Sequence, residues 1–340
     1  MRFLQDAPAA GPRADVDPPR LDKPDVSVCI VNWNCRELLR KCLASLYARP
    51  QGASFEVVVV DNASTDGAAD MVAAEFPQVT LVPNAENRGF SRGNNQAAQL
   101  AVGRYLFFLN NDTELRPNTL AEFVTFADRN PGVGMVGPKL RGADGNAQIA
   151  YRTRPTLAAL FHRISLLRWT RLFRGAYYRY RRDTFEPDGV RTVEALMGAA
   201  VFLPREVFEQ SGRWDERYHF GGEDLDLSAQ VGRRHKVVYF SRVEVLHYGR
   251  VSSRANVGFA APNVAIGYVH YFRKAGVGRA ALVTYKALVT VDTPVQIGIK
   301  LFEAGCRLAR GRRDKARKSL LAARGLWHFF RGELVRFWKA

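Results

Sequence analysis

The chain has 340 residues, 47% of them apolar, and a formal net charge of +17; that is enough for a large buried core and too apolar for a disordered polymer. The charge is uneven, with net values of −2 for 1–150, +7 for 151–191, +3 for 192–299 and +9 for 300–340. This pattern suits a soluble enzyme docked by two basic patches on an anionic surface, acidic lipid headgroups or nucleic acid; a nucleic-acid-binding α/β protein, suggested by the charge and the Arg/aromatic mix of Tyr151 to Arg182, is disfavoured by the near-neutral core.

Cys29, Cys35, Cys42 and Cys306 form no CxxC pair and no metal spacing, which predicts reduced thiols. The stretch APAAGPRADVDPPRLDKP lacks an apolar h-region, so residues 1–25 are expected to be a disordered lead-in, neither signal peptide nor anchor. The longest apolar run, Ala280 to Leu301, is interrupted by Lys286, Asp292, Pro294 and Lys300 and is too broken to span a bilayer.

In chain order, Val26 to Val31 predicts a buried strand and Arg36 to Tyr47 an amphipathic helix. Glu56 to Val60 is a second strand, Asp66 to Glu75 a helix, and Val79 to Val82 a third strand. Ser91 is expected to cap the next helix, Arg104 to Leu109 is a fourth strand, and Pro117 suits the first turn of a helix toward Asp128. This alternation predicts a doubly wound, mostly parallel sheet with a ligand at the carboxyl ends of its strands. The regularity stops after Gly137. Tyr151 to Arg182 is basic and aromatic, and a second organised block runs from Val193 to Ser252. That block contains a strand or buried segment ALMGAAVFL, a short helix from Pro204, a loop GRWDERYHFGG, a helix opening at Glu223 and two short strands ending at His247. From Ala255 the pattern is helical and increasingly basic.

Two strand-like runs end in clusters of Asp and Asn, VVDNASTDG and YLFFLNNDT, with the Gly/Asn-rich NRGFSRGNN between them. Carboxylates at successive strand ends suit a nucleotide with metal-bridged phosphates, and without a GxGxxG loop a nicotinamide enzyme is disfavoured. No Gly-rich triphosphate loop occupies the first strand–helix turn, which disfavours a sugar nucleotidyltransferase. Taken singly, each residue also has a plain structural reading: Asp61 as a cap, Glu223 and Asp224 as dipole-complementing acids at a helix start, His247 and Trp214 as core residues.

The ordered set IVNWN, VVDNASTDG, NRGFSRGNN, FLNNDT, MGAAVFLPR, FGGEDLDLSAQ and LHYGRVSS resembles glycosyltransferase family 2, and most closely its bacterial rhamnosyltransferase-like branch, across roughly Val26 to Ser253. The resemblance implies a GT-A fold: a Rossmann-like sheet flanked by helices, followed here by a basic helical C-terminal extension. It implies a nucleotide-sugar-binding half over 26–140 and an acceptor-binding and catalytic half over 141–255; beyond it, charge and apolar periodicity suggest a membrane-associating tail over 256–340. Asn32, Trp33, Asp61 and Asn62 would surround the nucleobase. Asn87, Gly89 and Asn94 would approach the diphosphate, with Asn94 standing where related enzymes often carry Arg. Asn110, Asn111 and Asp112 occupy the place of the family's DxD metal motif; Asn110 replaces its first acid, leaving Asp112 to share a divalent cation, Mg2+ or Mn2+, with His247. Asp224 would be the general base of an inverting transfer, with Asp226 as second choice and Glu223, Trp214 and Asp215 near the acceptor.

The expected reaction moves a sugar, L-rhamnose from dTDP-L-rhamnose favoured, from a nucleoside diphosphate donor to a polyprenyl-diphosphate-linked saccharide in surface polysaccharide or cell-wall synthesis. The expected location is the cytoplasmic face of a bacterial plasma membrane, without nucleic acid as partner. In the tail, Leu320, Trp327 and Leu334 with Ala323, Phe330 and Phe337 form a stripe bordered by Arg317, Arg324 and Arg331, the pattern of a helix lying in a membrane interface.

Overall fold

A computed structural model describes residues 23–181, 185–249 and 257–340. Most of the expected lead-in and the RVSS part of the last motif lie outside the described residues. The first half runs β1 (Val26–Asn32), α1 (Arg36–Tyr47), β2 (Phe55–Asp61), α2 (Ala68–Glu75), β3 (Thr80–Pro83), α3 (Phe90–Leu100), β4 (Tyr105–Leu109), β5 (Thr113–Leu115) and α4 (Thr119–Arg129). Strands β3, β2, β1 and β4 lie side by side and parallel, as expected of strands joined by helices. Their centres are almost continuously apolar because helices cover both faces.

The second half continues as β6 (Val133–Arg141), β7 (Ala147–Gln148), β8 (Tyr151–Arg152), α5 (Leu157–Phe161), α6 (Ser165–Trp169), α7 (Arg174–Arg181), β9 (Val190–Thr192), β10 (Ala195–Leu196), β11 (Ala200–Pro204), α8 (Arg205–Gln210), α9 (Glu223–Val231) and β12 (Lys236–His247). β11 pairs antiparallel with β4, so Ala200 stands opposite Leu109 and the chain returns to the same edge at which β4 ends. β6 and β12 extend the sheet parallel to one another, and β5 closes it antiparallel to β12 with His247 opposite Thr113. The fold is the expected α/β GT-A arrangement, a mostly parallel sheet with one reversed strand in its middle.

Several local expectations are corrected. Regular structure does not stop at Gly137: β6 runs through Pro138, which sits opposite Phe240 beside the register shift between Phe240 and Glu244. A bulge is a place where a strand tolerates a residue without an N–H. The two short strands expected before His247 are one strand of 12 residues carrying that bulge. The expected strand ALMGAAVFL is two strands, β10 and β11, separated by Met197–Ala199. Ser91 lies inside α3 and is not its cap. Gly89 is, with φ at +83°, and a side chain there would also crowd the His219 carbonyl. The helix after Pro117 opens at Thr119 behind Asn118.

Among the described residues four C-terminal helices follow: α10 (Val257–Lys274), α11 (Arg279–Ala309), α12 (Arg313–His328) and, after a π-turn over Phe329–Glu333, α13 (Leu334–Lys339). No helix among the described residues is long and apolar enough to cross a membrane. Phe329 and Phe337 are buried with Leu160, Tyr218, Leu225, Val269 and Phe272 in a second core. The predicted stripe is therefore split: Ala323 and Phe337 face inward, whereas Leu320 and Trp327 are exposed.

α10 meets the loop before α9 at backbone distance. A methyl group on Gly267 would overlap the Gly221 carbonyl oxygen. Alanine normally favours a helix interior over glycine by about 1 kcal/mol, but overpacking against backbone costs about 1–3 kcal/mol. Gly267→Ala is therefore expected to lower the melting temperature and to impair activity by displacing the segment that holds Glu223 and Asp224. A stabilised, fully active variant would show that this approach carries no strain.

Candidate active site

The parallel register puts Asn32 beside Asp61 at the carboxyl ends of β1 and β2. The Asn32 amide donates to Asp61 Oδ1 at 2.8 Å, and the Asn111 amide donates to Asn32 Oδ1 at 2.6 Å. Ser64 donates twice to Asp61, from its hydroxyl at 2.6 Å and its backbone N–H at 2.9 Å. Three strand ends are thus tied into one polar, buried row, with Trp33 half-buried beside it. Asp66 bonds the backbone N–H groups of Arg36 at 2.8 Å and Ala68 at 3.2 Å, joining the starts of α1 and α2.

Asn62 donates to the Gly89 carbonyl at 3.2 Å and accepts from Asn84 at 2.9 Å, while Asn87 Oδ1 accepts the Gly89 N–H at 2.9 Å. These bonds hold the loop that opens α3 against the strand row. Asn94 is buried and donates to Phe90 O within its own helix at 3.1 Å. Arg88 and Arg92 are exposed beside this loop, Arg92 paired with Glu216 at 2.9 Å.

After β4, the Asn110 N–H donates to Ala199 O at 2.9 Å and the Tyr248 N–H to Asp112 O at 2.9 Å. The β5–β12 pairing brings His247 Nε2 to 3.4 Å from Asp112 Oδ1, and both side chains are largely buried. On the other side of the ring, Nδ1 lies 2.8 Å from Gln148 Oε1, while the Gln148 amide donates to His247 O at 2.8 Å. Gln148 thereby holds the proton on Nδ1 and turns the Nε2 lone pair toward the carboxylate. A carboxylate oxygen and an imidazole nitrogen facing each other at this distance can share a cation. An oxygen and an imidazole nitrogen suit Mg2+ or Mn2+, so Asp112 and His247 fit a divalent cation. Among the described residues no third His, Cys, Asp or Glu joins them; the remaining ligands would have to be diphosphate oxygens and water.

Asp224 opens α9 at the same edge. The Gly198 N–H lies 3.4 Å from Asp224 Oδ2, the Leu225 N–H donates to Oδ1 at 2.8 Å, and Arg152 Nη2 lies 3.5 Å from Oδ2. Gly198 precedes Ala199, the partner of Asn110, so this carboxylate and the strand row are connected through a few backbone links. Burial works against the charge on Arg152, but Asp224 beside it wins and raises its pKa. Glu223 is different. Its Oε2 is buried with no partner, and burial together with the Asp224 charge pushes its pKa up to about 8. At neutral pH Glu223 is a neutral acid next to a carboxylate.

Asp226 is turned away, bonded by Lys274 at 2.7 Å. Asp215 takes the same lysine at 3.1 Å and also Arg217; burial opposes its charge, but these bonds hold its pKa well below the usual carboxylate range. Trp214 is buried, its ring edge-on to Phe90 and Phe108 at centroid separations of 5.6 and 5.2 Å. In this conformation it is a core tryptophan, not a surface for a sugar. Gln148 and Arg152 were not singled out by sequence reasoning. Each contacts its functional partner across more than seventy residues, and neither has a local signature.

The fold and the polar edge define a GT-A-type enzyme. The family model for glycosyl transferase family 2 matches residues 27–192. The chain is 30% identical over 234 residues to an N-acetylglucosaminyl-diphospho-decaprenol L-rhamnosyltransferase of Mycobacterium tuberculosis, covering 65% of this chain and 75% of that protein. It is 32% identical over 237 residues to the O-antigen biosynthesis protein RfbC of Myxococcus xanthus, covering 68% of this chain and 18% of the longer protein. In three dimensions it is similar to the mannosyltransferase PcManGT of Pyrobaculum calidifontis, solved with GDP-Man and Mn2+. That match has a TM-score of 0.50 and 22% identity over 90% of this chain and 88% of the other. The chain belongs to glycosyl transferase family 2, in its rhamnosyltransferase-like part, and is a glycosyltransferase.

The state of Glu223 has a measurable consequence. In the unfolded chain this carboxyl ionises near its ordinary 4.5, whereas the folded protein keeps its proton up to about 8. Between those values only the folded state holds the proton, so stability contributed at low pH is lost as pH rises. Glu223→Gln cannot titrate. Its stability in urea, relative to the unsubstituted protein, should improve steadily across this window and level off above it. Parallel pH curves for the two proteins would contradict the assignment.

Proposed function

We propose that this glycosyltransferase inverts the sugar it transfers, moving L-rhamnose from dTDP-L-rhamnose to a saccharide carried on a polyprenyl diphosphate at the inner face of a bacterial membrane. The relatives support this choice of sugar and acceptor, since the mycobacterial protein is named for a rhamnosyl transfer to a decaprenol-linked diphospho-sugar. One observation carries the mechanism: the backbone links that run from Asn110 through Ala199 and Gly198 to Asp224. They support a donor and a base meeting at one sheet edge.

Asp61, with Asn32, Trp33 and Asn62, receives the nucleobase; Asn87, Gly89 and Asn94 line the approach of the diphosphate, with Asn110 and Asn111 beside it. Asp112 and His247 hold the divalent cation, which supplies charge neutralisation for the departing diphosphate. The acceptor hydroxyl attacks the anomeric carbon from the side of Asp224. Its proton passes to Asp224, and the bond to the diphosphate breaks with its electron pair on the leaving oxygen. Arg152 balances Asp224, and neutral Glu223 offers a hydrogen bond to the acceptor without adding a second negative charge. Asp215 and Trp214 shape the acceptor side from beneath.

Asp224→Asn is expected to keep donor binding and lose transfer by at least about a hundredfold, the usual size of a general-base contribution. Near-normal turnover would move the role to Glu223, because Asp226 is engaged by Lys274. A second set of variants tests the cation. His247→Ala and Asp112→Ala should each abolish most of the Mn2+-dependent donor binding seen by calorimetry. Gln148→Leu should weaken it about 10–100-fold while leaving the fold intact, the usual effect of losing a hydrogen bond that orients a metal-ligating His. Donor affinity that is indifferent to chelator in the unsubstituted protein would rule out this arrangement.

A further inference from the structure

From Tyr151 to Arg182 the sequence carries nine arginines and no Asp, Glu or Lys. Within the helical turns of α5 to α7, Arg163, Arg168, Arg171 and Arg174 are exposed, and none of them pairs with a carboxylate among the described residues. Between them stand Leu166, Trp169, Leu172 and Phe173, which are 66%, 83%, 51% and 41% exposed. A Trp open to solvent to that degree, flanked by leucines and unpaired arginines, is an unusual surface for a water-facing turn.

The segment is firmly mounted. Thr156 caps α5 through the Ala159 N–H at 3.2 Å. The buried Asp292 of α11 accepts the Ser165 N–H at 2.9 Å, and His162 Nδ1 lies 2.8 Å from Leu172 O. Phe161 packs between Phe173 and Tyr285. On the helix that holds Asp292, Val291 and Val295 are exposed one turn apart and extend the apolar area.

A continuous set of contacts leads inward from this surface. The Arg163 guanidinium lies 5.8 Å from the Tyr268 ring centroid, and the Tyr268 and Tyr180 hydroxyls are 2.8 Å apart. Arg152 lies 5.6 Å from the Tyr180 centroid and touches Asp224. Four side chains thus join the exposed basic surface to the carboxylate.

We propose that the 163–174 surface seats the enzyme on an anionic bilayer, on the side of the molecule from which the Arg163–Tyr268–Tyr180–Arg152 contacts lead to Asp224, so that the lipid-linked acceptor is delivered next to that carboxylate. This rests on the lipid-linked acceptor of the preceding reading. Bilayer is favoured over nucleic acid by Leu166, Leu172 and Val291, which have aliphatic surface to bury and no base to stack on. The surface is favoured over the C-terminal helices because its contacts lead to Asp224; in that tail Phe329 and Phe337 are buried in the second core, and the exposed Leu320 and Trp327 make it the rival surface that the test compares. The tail's net charge adds long-range attraction; insertion belongs to Trp169 and its neighbours.

The test compares the full-length protein with Leu166→Glu/Trp169→Glu, with Arg168→Gln/Arg171→Gln/Arg174→Gln, and with the tail variant Leu320→Glu/Trp327→Glu. All of these positions are exposed, and unchanged circular dichroism will confirm folding. Sedimentation with phosphatidylglycerol/phosphatidylcholine vesicles should show at least tenfold weaker partitioning for the first variant. The arginine variant should lose roughly fivefold per arginine, with less salt dependence. The tail variant should change partitioning less than either. Transfer to a long-chain polyprenyl diphosphate acceptor in vesicles should fall with partitioning, while transfer to a short water-soluble analogue should persist. Unchanged partitioning of the first variant, a larger loss in the tail variant, or loss of oligonucleotide binding in place of vesicle binding would overturn the proposal. If even the unsubstituted protein fails on both acceptors, the acceptor reading fails, while the vesicle measurement still judges the surface.

Discussion

The site depends on the antiparallel placement of β11 between β4 and β6. In a purely parallel sheet the segment entering a strand sits at the opposite edge from the segment leaving its neighbour. Because β11 is reversed, the residues just before it, Gly198 and Ala199, lie where β4 ends. The second half of the chain therefore delivers Asp224 to the edge at which the first half has assembled Asn32, Asp61, Asn111 and Asp112. The same pairing logic operates at the far side, where β5 running against β12 sets His247 beside Asp112. Two reversed pairings bring Asp224, Asp112 and His247 to the edge where Asn32 and Asp61 end, the edge at which the proposed donor, cation and base would meet.

Charge is distributed along that edge with little redundancy. Two adjacent acids open α9, and both sit where water is scarce; one guanidinium, Arg152, accompanies them. Burial and the neighbouring Asp224 both act against a charge on Glu223, which keeps its proton up to about 8. Arg152 touches Asp224, whereas Glu223 Oε2 is buried without a partner among the described residues, so the two adjacent acids sit in different settings. Asp226, two positions on, is drawn to the other side of α9 by Lys274. The position of a cation, not the identity of the acid, thus separates three carboxyls within four residues.

Much of this was legible in the sequence, for local reasons. Apolar runs that end abruptly in Asp or Asn mark strand ends, which is why β1, β2, β4 and their polar termini were located to within a residue or two. The family resemblance supplied the pairing of Asp112 with His247, and the structure brings those two side chains together. Features set by distant contacts were not legible. β6 was not read as a strand: the regular alternation was expected to stop after Gly137, whereas a bulge in the neighbouring strand lets β6 run on through Pro138. Gln148 and Arg152 lie in a stretch whose composition announces only basicity. Periodicity gave the tail an apolar stripe but could not say what covers it, and the second core covers half. Trp214, placed near the acceptor on sequence, belongs to the aromatic packing beneath the site.

The proposed single displacement, with Asp224 as base, has a stereochemical signature. The most direct test is the anomeric configuration of the product, read by proton NMR before mutarotation or from the coupling constant of a stable glycoside, with dTDP-L-rhamnose as donor. The arrangement of Asp224 opposite the strand-end row predicts a product whose configuration at the anomeric carbon is opposite to that of the donor. Retained configuration would require a second nucleophile or attack from the leaving-group side, and would contradict the single-base geometry.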